Sequence, residues 1–222
     1  MIAAFLIFAA GGKGHRYIML SYSGSADAAA AIAAETGATA VQADSANRDE
    51  LVAAIVAAVA LDIMVINAGV AIMGDPLKLD PDAVDRPIDI NVRAPYFAGV
   101  EAGRQMHDNG RIIIIGSVNG DRVPGAGFTA YALSKSAVQG IGRGLARDFG
   151  PRGITVNVVQ PGPVDTDMNP AEGPMAKRMH ASMAIPRHAH TDEVAALVLY
   201  LASPAAAMIT GTTQTIDGGL GI

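Results

Sequence analysis

The chain has no cysteine among its 222 residues. This absence excludes disulfide scaffolds, thiolate zinc sites and cysteine nucleophiles. A chain without disulfides is compatible with the reducing interior of a cell, so we expect a cytoplasmic location.

The chain also lacks a cluster of Lys and Arg, and its formal net charge is −5. This balance argues against a nucleic acid or an anionic membrane as its partner and favours a small, discrete ligand. Long hydrophobic runs are missing as well. The apolar start Met1–Phe8 has no basic residues before it and is far too short to span a bilayer, so we interpret it as a buried first strand.

Half of the residues are hydrophobic, and no low-complexity linker interrupts the chain, which favours one domain over residues 1–222 with a sizeable core. Short β-rich runs alternate with helix-forming stretches, the pattern of an α/β fold whose parallel sheet is covered by helices. The predicted strands are Ala3–Phe8, Tyr17–Ser21, Thr39–Gln42, Ile63–Ile66, Arg111–Ile115, Ile154–Val159 and Gln214–Ile216. The predicted helices are Ala26–Glu35, Asp49–Ala60, Val84–His107, Phe128–Phe149 and Asp192–Leu201.

Polar and small residues follow three of these strands. Asn67-Ala68-Gly69 comes after the fourth strand, Gly116-Ser117 after the fifth, and Pro161–Thr166 after the sixth. Open α/β sheets bind ligands beyond the carboxyl ends of their strands, so all three segments are expected on one binding rim.

Tyr131 and Lys135 are four residues apart on a predicted helix, so their side chains share a face. A neighbouring cation favours phenolate and is expected to lower the pKa of Tyr131 from its usual value of about 10. Tyr131 is then predicted to exchange a proton with a carbonyl or alcohol oxygen, to which Ser117 also hydrogen-bonds. Asn91, in the preceding helix, is predicted to hold a water that links Lys135 to solvent.

In this order, the residues resemble the motifs of the short-chain dehydrogenase/reductase family. The matching segments are Asn67-Ala68-Gly69, Asn91, Ser117, Tyr131–Lys135, Pro161-Gly162 and Asp217-Gly218-Gly219. The resemblance covers roughly residues 20 to 222 and implies a three-layer, doubly wound Rossmann-like fold. It further implies an oxidoreductase that transfers hydride between a nicotinamide cofactor and a small carbonyl or alcohol. A homodimer or homotetramer is also implied.

The resemblance identifies the residues expected to act. The catalytic set is Asn91, Ser117, Tyr131 and Lys135. The cofactor-binding set is Gly11, Gly12, Gly14, Tyr22, Ser23, Asp44, Asn67, Ala68, Gly69, Tyr131, Lys135, Pro161, Gly162, Val164 and Thr166. Of these, Asp44 matches the family position that contacts adenine. The segment Ser21–Ser25 offers hydroxyls but no acid for the ribose of NAD, so NADP(H) is predicted rather than NAD(H).

The glycine-rich start departs from the family pattern. Only about eight residues separate Phe8 from Tyr17, whereas a parallel crossover through a helix needs about a dozen or more. We therefore predict an antiparallel hairpin in which the second strand keeps its usual direction, with Gly11–Gly14 at the sheet edge away from a pyrophosphate. The alternative is a cramped parallel connection that keeps the glycine amides near the phosphates.

A second function stays open. The stretches Gly116–Arg122 and Gly144–Thr155 are similar to a subgroup of bacterial biofilm dispersal mediators that bind cyclic di-GMP. This similarity implies, as the alternative to an enzyme, a non-catalytic regulator that binds a nucleotide. A third alternative is a non-catalytic scaffold that keeps only the fold. No metal site is predicted, because His180, His188 and His190 are more typical of loop residues.

Overall fold

The computed structural model describes residues 5–11, 15–58 and 61–222. Seven strands form a sheet in the order β3-β2-β1-β4-β5-β6-β7. Their bounds are β1 (Phe5–Gly11), β2 (His15–Tyr22), β3 (Thr39–Gln42), β4 (Leu61–Ile66), β5 (Met106–Ile115), β6 (Thr155–Pro161) and β7 (Thr213–Ile216).

Helices cover both faces of this sheet. They are α1 (Ala26–Thr36), α2 (Arg48–Val56), α3 (Pro81–Ile88), α4 (Ala94–Gln105), α5 (Thr129–Phe149), α6 (Ala176–His180) and α7 (Thr191–Ala202). Met64 and Ile66 of β4 belong to the core that includes residues of α2, α4 and α5, while Ile63 packs with Leu201 of α7 on the other face. This arrangement confirms the predicted mostly parallel, Rossmann-like α/β fold. Within the described ranges, no helix is both long enough and apolar enough to cross a membrane.

The predicted N-terminal hairpin is confirmed. β1 pairs antiparallel with both β2 and β4, whereas β2 pairs in parallel with β3. The first strand is therefore reversed and the second keeps the common direction. Gly11 pairs with His15 at the amino end of β2, so it lies at the edge opposite the carboxyl rim. Gly12 and Gly14 fall outside the described residues.

Two side chains show that the sheet is buried on the face where the missing crossover helix would have packed. Leu20 and Val65 both pair with position 6 of β1 and so point to the same face, opposite Met64. Their exposed fractions are 0% and 4%. The large exposed apolar surface that a missing helix implies is therefore not found at these two side chains.

The single long helix predicted over Val84–His107 is wrong in detail. A π-helical turn, Asp89–Arg93, separates α3 from α4. Pro95 has no N–H to donate to the carbonyl of Asn91, and the Ala94 N–H bonds back to Asp89 instead, five residues away. The sequence then enters β5 at Met106, five residues before the predicted start, through an irregular stretch in which Asn109 has φ 64°.

Candidate active site

Helix α5 carries two of the predicted catalytic side chains. Tyr131 lies in its first turn and Lys135 one turn later, which places the Lys135 Nζ 6.0 Å from the centre of the Tyr131 ring. Lys135 is 5% exposed, and its Nζ donates to the carbonyl of Ile115 at the end of β5. The two side chains therefore share a face, as the spacing predicts.

Ser117 meets Tyr131 from the neighbouring strand. It follows β5 directly, caps a short 3₁₀ turn by accepting from the Asn119 N–H at 3.2 Å, and forms a hydrogen bond with the Tyr131 side chain. Both hydroxyls lie at the carboxyl end of the sheet. The structure thus brings Ser117, Tyr131 and Lys135 into one site.

The pKa of Tyr131 does not follow the predicted direction. Burial raises the pKa of the phenol above its usual value, and the hydrogen bond from Ser117 offsets this only in part. The ammonium of Lys135 is not among the groups that shift it. The expected lowering by Lys135 is therefore wrong, because loss of hydration on burial raises the pKa of the phenol. A raised pKa keeps Tyr131 protonated, as a proton donor requires.

Burial has the opposite effect on the cation. It lowers the pKa of Lys135 from 10.5 to about 8, because the ammonium loses water. At pH 7 the side chain still carries its proton for most of the time.

Asn91 holds the loop that follows β4. Its Oδ1 accepts from the Val70 N–H at 2.9 Å, and its Nδ2 donates to the Val70 carbonyl at 2.8 Å and to Ser134 Oγ at 3.0 Å. Both amide hydrogens are thus used. The side-chain amide of Asn91 therefore has no hydrogen left for the water that the sequence predicts, and its backbone carbonyl receives no bond from Pro95, which has no N–H.

Ser134 is a residue that sequence reasoning named only as part of a motif. It is fully buried, and its Oγ donates to the Tyr131 carbonyl at 2.8 Å while accepting from Asn91. This hydroxyl therefore ties the π-helical turn to the helix that carries Tyr131 and Lys135. The sequence signal for this contact is the spacing, because a serine three residues after Tyr131 on a helix can bond the Tyr131 carbonyl.

Glycine at position 69 is required for the close approach of the rim loop to the ammonium. A Cβ atom at Gly69 would lie 3.1 Å from Lys135 Nζ and 3.5 Å from Asn91 Oδ1. Gly69 therefore borders Lys135 and Asn91, and Asn67 and Ala68 lie between it and the end of β4.

The segment after β6 is held in place by the end of the chain. A Cβ atom at Gly162 would lie 2.7 Å from Asp217 Cα, and Val164 forms a parallel bridge with Ala189. Thr166 is exposed beyond that bridge. Pro161, Gly162, Val164 and Thr166 are thus presented at the same rim as Ser117.

The predicted adenine side of the rim is partly occupied by protein contacts. Tyr22 is the last residue of β2 and Ser23 follows it. The Tyr22 carbonyl accepts from the Ala43 N–H, and the Ser23 carbonyl accepts from Gln42 Nε2. Asp44 follows β3, and its carboxylate accepts from Arg86 Nη2 at 3.0 Å and from the Ala46 N–H. An adenine that contacts Asp44 has to share this carboxylate with Arg86.

The residues fit one half of a nicotinamide dinucleotide better than the other. The backbone at Gly69 and the hydroxyl of Ser117 lie beside Lys135 and Tyr131, where the nicotinamide and its ribose would have to bind. Gly11 lies at the opposite sheet edge, so its predicted contact with the cofactor disagrees with the fold. The reason is the hairpin, which replaces the helix that normally starts at a pyrophosphate.

Two of the three loop histidines contact each other. His180 Nε2 and His188 Nδ1 are 2.7 Å apart, and His188 is 4% exposed. Burial and the neighbouring His180 lower the pKa of His188. The negative charge of Asp165 acts in the opposite direction and offsets this lowering only in part. No group of three or more potential metal ligands occurs in the ranges that the structure covers.

Comparison with known proteins gives consistent matches along nearly the whole chain. The sequence pattern of the family described as enoyl-(acyl carrier protein) reductase matches residues 8–221. The cyclic-di-GMP-binding biofilm dispersal mediator protein of Escherichia coli K12 is 58% identical over 204 residues, 92% of this chain and 86% of that protein.

Two solved structures share the fold at a TM-score of 0.90 each. The structure of BdcA in complex with NADPH is 59% identical and covers 91% of this chain and 83% of its own. A short-chain dehydrogenase from Burkholderia cenocepacia in complex with NADP is 43% identical, with 92% and 87% covered.

Proposed function

The chain belongs to the short-chain dehydrogenase/reductase family, and from that premise we propose an NADP(H)-dependent oxidoreductase that acts on a small carbonyl or alcohol. The observation that carries the proposal is the hydrogen-bonded pair of Ser117 and Tyr131 beside the buried ammonium of Lys135. The predicted preference for NADP(H) is supported by the NADPH and NADP bound to the two solved relatives.

Each side chain has one task in the reduction of a carbonyl. The nicotinamide, when bound, supplies the hydride to the carbonyl carbon. Tyr131 donates its phenol proton to the carbonyl oxygen, and Ser117 hydrogen-bonds the same oxygen as negative charge develops there. Lys135 stabilises the phenolate that remains, and the carbonyl of Asn91 holds a water from which the proton is replaced.

The residues proposed to hold the cofactor are those at the carboxyl rim. They are Tyr22, Ser23, Asp44, Asn67, Ala68, Gly69, Tyr131, Lys135, Pro161, Gly162, Val164 and Thr166. Gly11 is left out because of its place in the hairpin, while Gly12 and Gly14 stay predictions. The cytoplasmic location predicted from the cysteine-free sequence stays part of this proposal.

The test is NADPH oxidation in the presence of ketones, followed by absorbance. Tyr131→Phe is expected to lower the rate by about 10²- to 10⁴-fold, because the proton donor is lost. Binding of NADPH, measured by fluorescence, is expected to change by only a few-fold. Tyr200→Phe, on the exposed side of α7, is the matched control and should keep the rate. A Tyr131→Phe variant that reduces ketones as fast as the unchanged chain contradicts the assignment.

A second candidate rests on the 58% identity to a protein that binds cyclic di-GMP. In this case the same rim binds the dinucleotide and no hydride is transferred. Cyclic di-GMP binding that persists in Tyr131→Phe, together with no ketone-dependent oxidation of NADPH, favours the regulator. If neither ligand binds, only a scaffold role is left.

A further inference from the structure

Exposed apolar side chains occur in the segments that follow β4, β5 and β6. Met73 follows β4, Val123 follows β5, and Met168 and Met175 follow β6, with exposed fractions of 53%, 59%, 54% and 49%. The carboxyl ends of these parallel strands share one edge, so the segments that carry the four side chains leave the sheet at the edge that holds Ser117. Apolar groups gathered beside a reactive site are typical of a ligand-binding surface.

Backbone contacts connect the first of these segments to the catalytic helix. The Gly74 N–H donates to the Gly127 carbonyl at 2.9 Å, and a Cβ atom at Gly127 would lie 3.4 Å from Gly74. Gly127 comes two residues before α5 begins at Thr129. Met73 is therefore adjacent to the segment that leads into the helix of Tyr131.

The Met-rich excursion between residues 165 and 187 is connected to Ser117 at its far end. The Ile185 N–H donates to the Gly218 carbonyl at 2.8 Å. A Cβ atom at Gly221, three residues later, would lie 3.3 Å from Val118 Cγ2. Because Val118 follows Ser117, the end of the excursion and the catalytic serine are joined through the same C-terminal turn.

The charge of the excursion does not favour an anionic substrate. Its carboxylates are Asp165, Asp167 and Glu172, and its cations on α6 are Lys177 and Arg178. The remaining guanidinium, Arg187, is held by Glu193 through two hydrogen bonds of 2.7 Å. The three carboxylates and three cations balance to a formal charge of zero, so a carboxylate on the substrate gains no net attraction there.

We propose that the substrate is an uncharged, apolar aldehyde or ketone. Its carbonyl oxygen reaches Ser117 and Tyr131, while its hydrocarbon part covers Met73, Val123 and the methionines of the excursion. The proposal rests on the proposed oxidoreductase function, because it names the substrate class for that site. Methionine side chains are flexible, so the site is expected to select against charge more strongly than against shape.

A kinetic series tests the substrate class. With 2-butanone, 2-hexanone and 2-octanone, kcat/KM is expected to rise by up to about fourfold for each added methylene group that becomes buried. 5-Oxohexanoate, in which a carboxylate replaces the terminal methyl group of 2-hexanone, is expected to react at least tenfold more slowly than 2-hexanone, roughly the cost of leaving the charge unpaired. Equal or faster reduction of 5-oxohexanoate overturns the proposal.

A binding experiment without cofactor separates this proposal from the redox assignment. The neutral fluorescent probe N-phenyl-1-naphthylamine is expected to bind the chain and to be displaced by 2-octanone but not by octanoate. Met175→Gln should weaken probe binding several-fold. Met208→Gln should not, because Met208 is 95% exposed and precedes β7, at the opposite edge of the sheet.

The two proposals can fail independently. If octanoate displaces the probe as well as 2-octanone does, or if Met208→Gln weakens binding as much as Met175→Gln, the apolar site is overturned. If the probe behaves as expected and no ketone is reduced, the apolar site stands and the oxidoreductase assignment fails.

Discussion

Tyr131 is subject to two opposing influences, burial and the hydrogen bond from Ser117. Ser117→Ala removes the influence that lowers the pKa, so the pKa of Tyr131 is expected to rise. In alcohol oxidation, where phenolate is needed, the pH at which the rate increases should move upward. Carbonyl reduction should slow by about 10²-fold, as on loss of one donor to a developing oxyanion.

The pH profile of alcohol oxidation is the measurement that checks this expectation. Ser136→Ala is the control, because Ser136 lies on the same helix but is exposed and bonds the Gly120 carbonyl. An unchanged profile in Ser117→Ala would show that Ser117 does not act on Tyr131.

Lys135 gives a prediction about stability. Its folded pKa of about 8 lies below the 10.5 of the unfolded chain, so between these values only the unfolded chain keeps the proton. The free energy of unfolding should therefore rise with pH from about 8 to 10.5. Lys135→Met lacks this titration and is expected to be more stable at pH 7, by about 3 kcal/mol.

Urea unfolding at pH 7, 8.5 and 10 measures this difference. Lys177→Met, at an exposed position on α6, serves as the control. The idea fails if the unchanged chain and Lys135→Met show parallel pH dependences.

The excursion after β6 is the element with a built-in pH response. The bond between His180 and His188 requires an unprotonated nitrogen, and the pKa of His188 is lowered, with Asp165 as the opposing charge. His188 is therefore protonated at a higher pH when the contact is open than when it is closed. The contact is stable above about pH 6.5 and weakens below it.

Hydrogen exchange of residues 176–188, with each rate divided by the intrinsic rate of an unprotected amide at the same pH, is expected to show lower protection at pH 5.5 than at pH 7.5. His180→Gln keeps a side-chain amide near the position of Nε2 and should reduce this pH dependence. His107→Gln, outside the excursion, is the control. An unaltered pH effect in His180→Gln would exclude the pair as its source.

Elements set by local spacing could be predicted from the sequence. The hairpin follows from the short connection between Phe8 and Tyr17, and the shared face of Tyr131 and Lys135 follows from helix geometry. Properties that depend on tertiary contacts could not be predicted. The bond from Asn91 joins residues 21 apart, and the direction of the Tyr131 pKa depends on burial that no local pattern records.

At the scale of the whole molecule, the family resemblance predicts a homodimer or homotetramer. Tyr96 on α4 and Leu133 on α5 are 49% and 58% exposed, as expected for helices that contact another copy. Sedimentation equilibrium should give two or four times the chain mass of 22.7 kDa. Leu133→Glu should shift the mass downward, whereas Leu77→Glu, in a loop, should not. A chain that sediments as a monomer contradicts this expectation.

The described part of the chain combines the proposed catalytic residues with a reversed first strand. Ser117, Tyr131 and Lys135 lie together at one sheet edge, while Gly11 lies at the other. If the residues around Tyr131 are sufficient to bind the nicotinamide, NADPH binds although Gly11 is far from the rim.

Calorimetric titration with NADPH, beside NADH and cyclic di-GMP, addresses this point most directly. Saturable binding of NADPH at one site per chain, tighter than NADH, is the predicted result. An absence of heat with NADPH up to about millimolar concentration, which corresponds to less than about 4 kcal/mol of binding free energy, would contradict the oxidoreductase assignment.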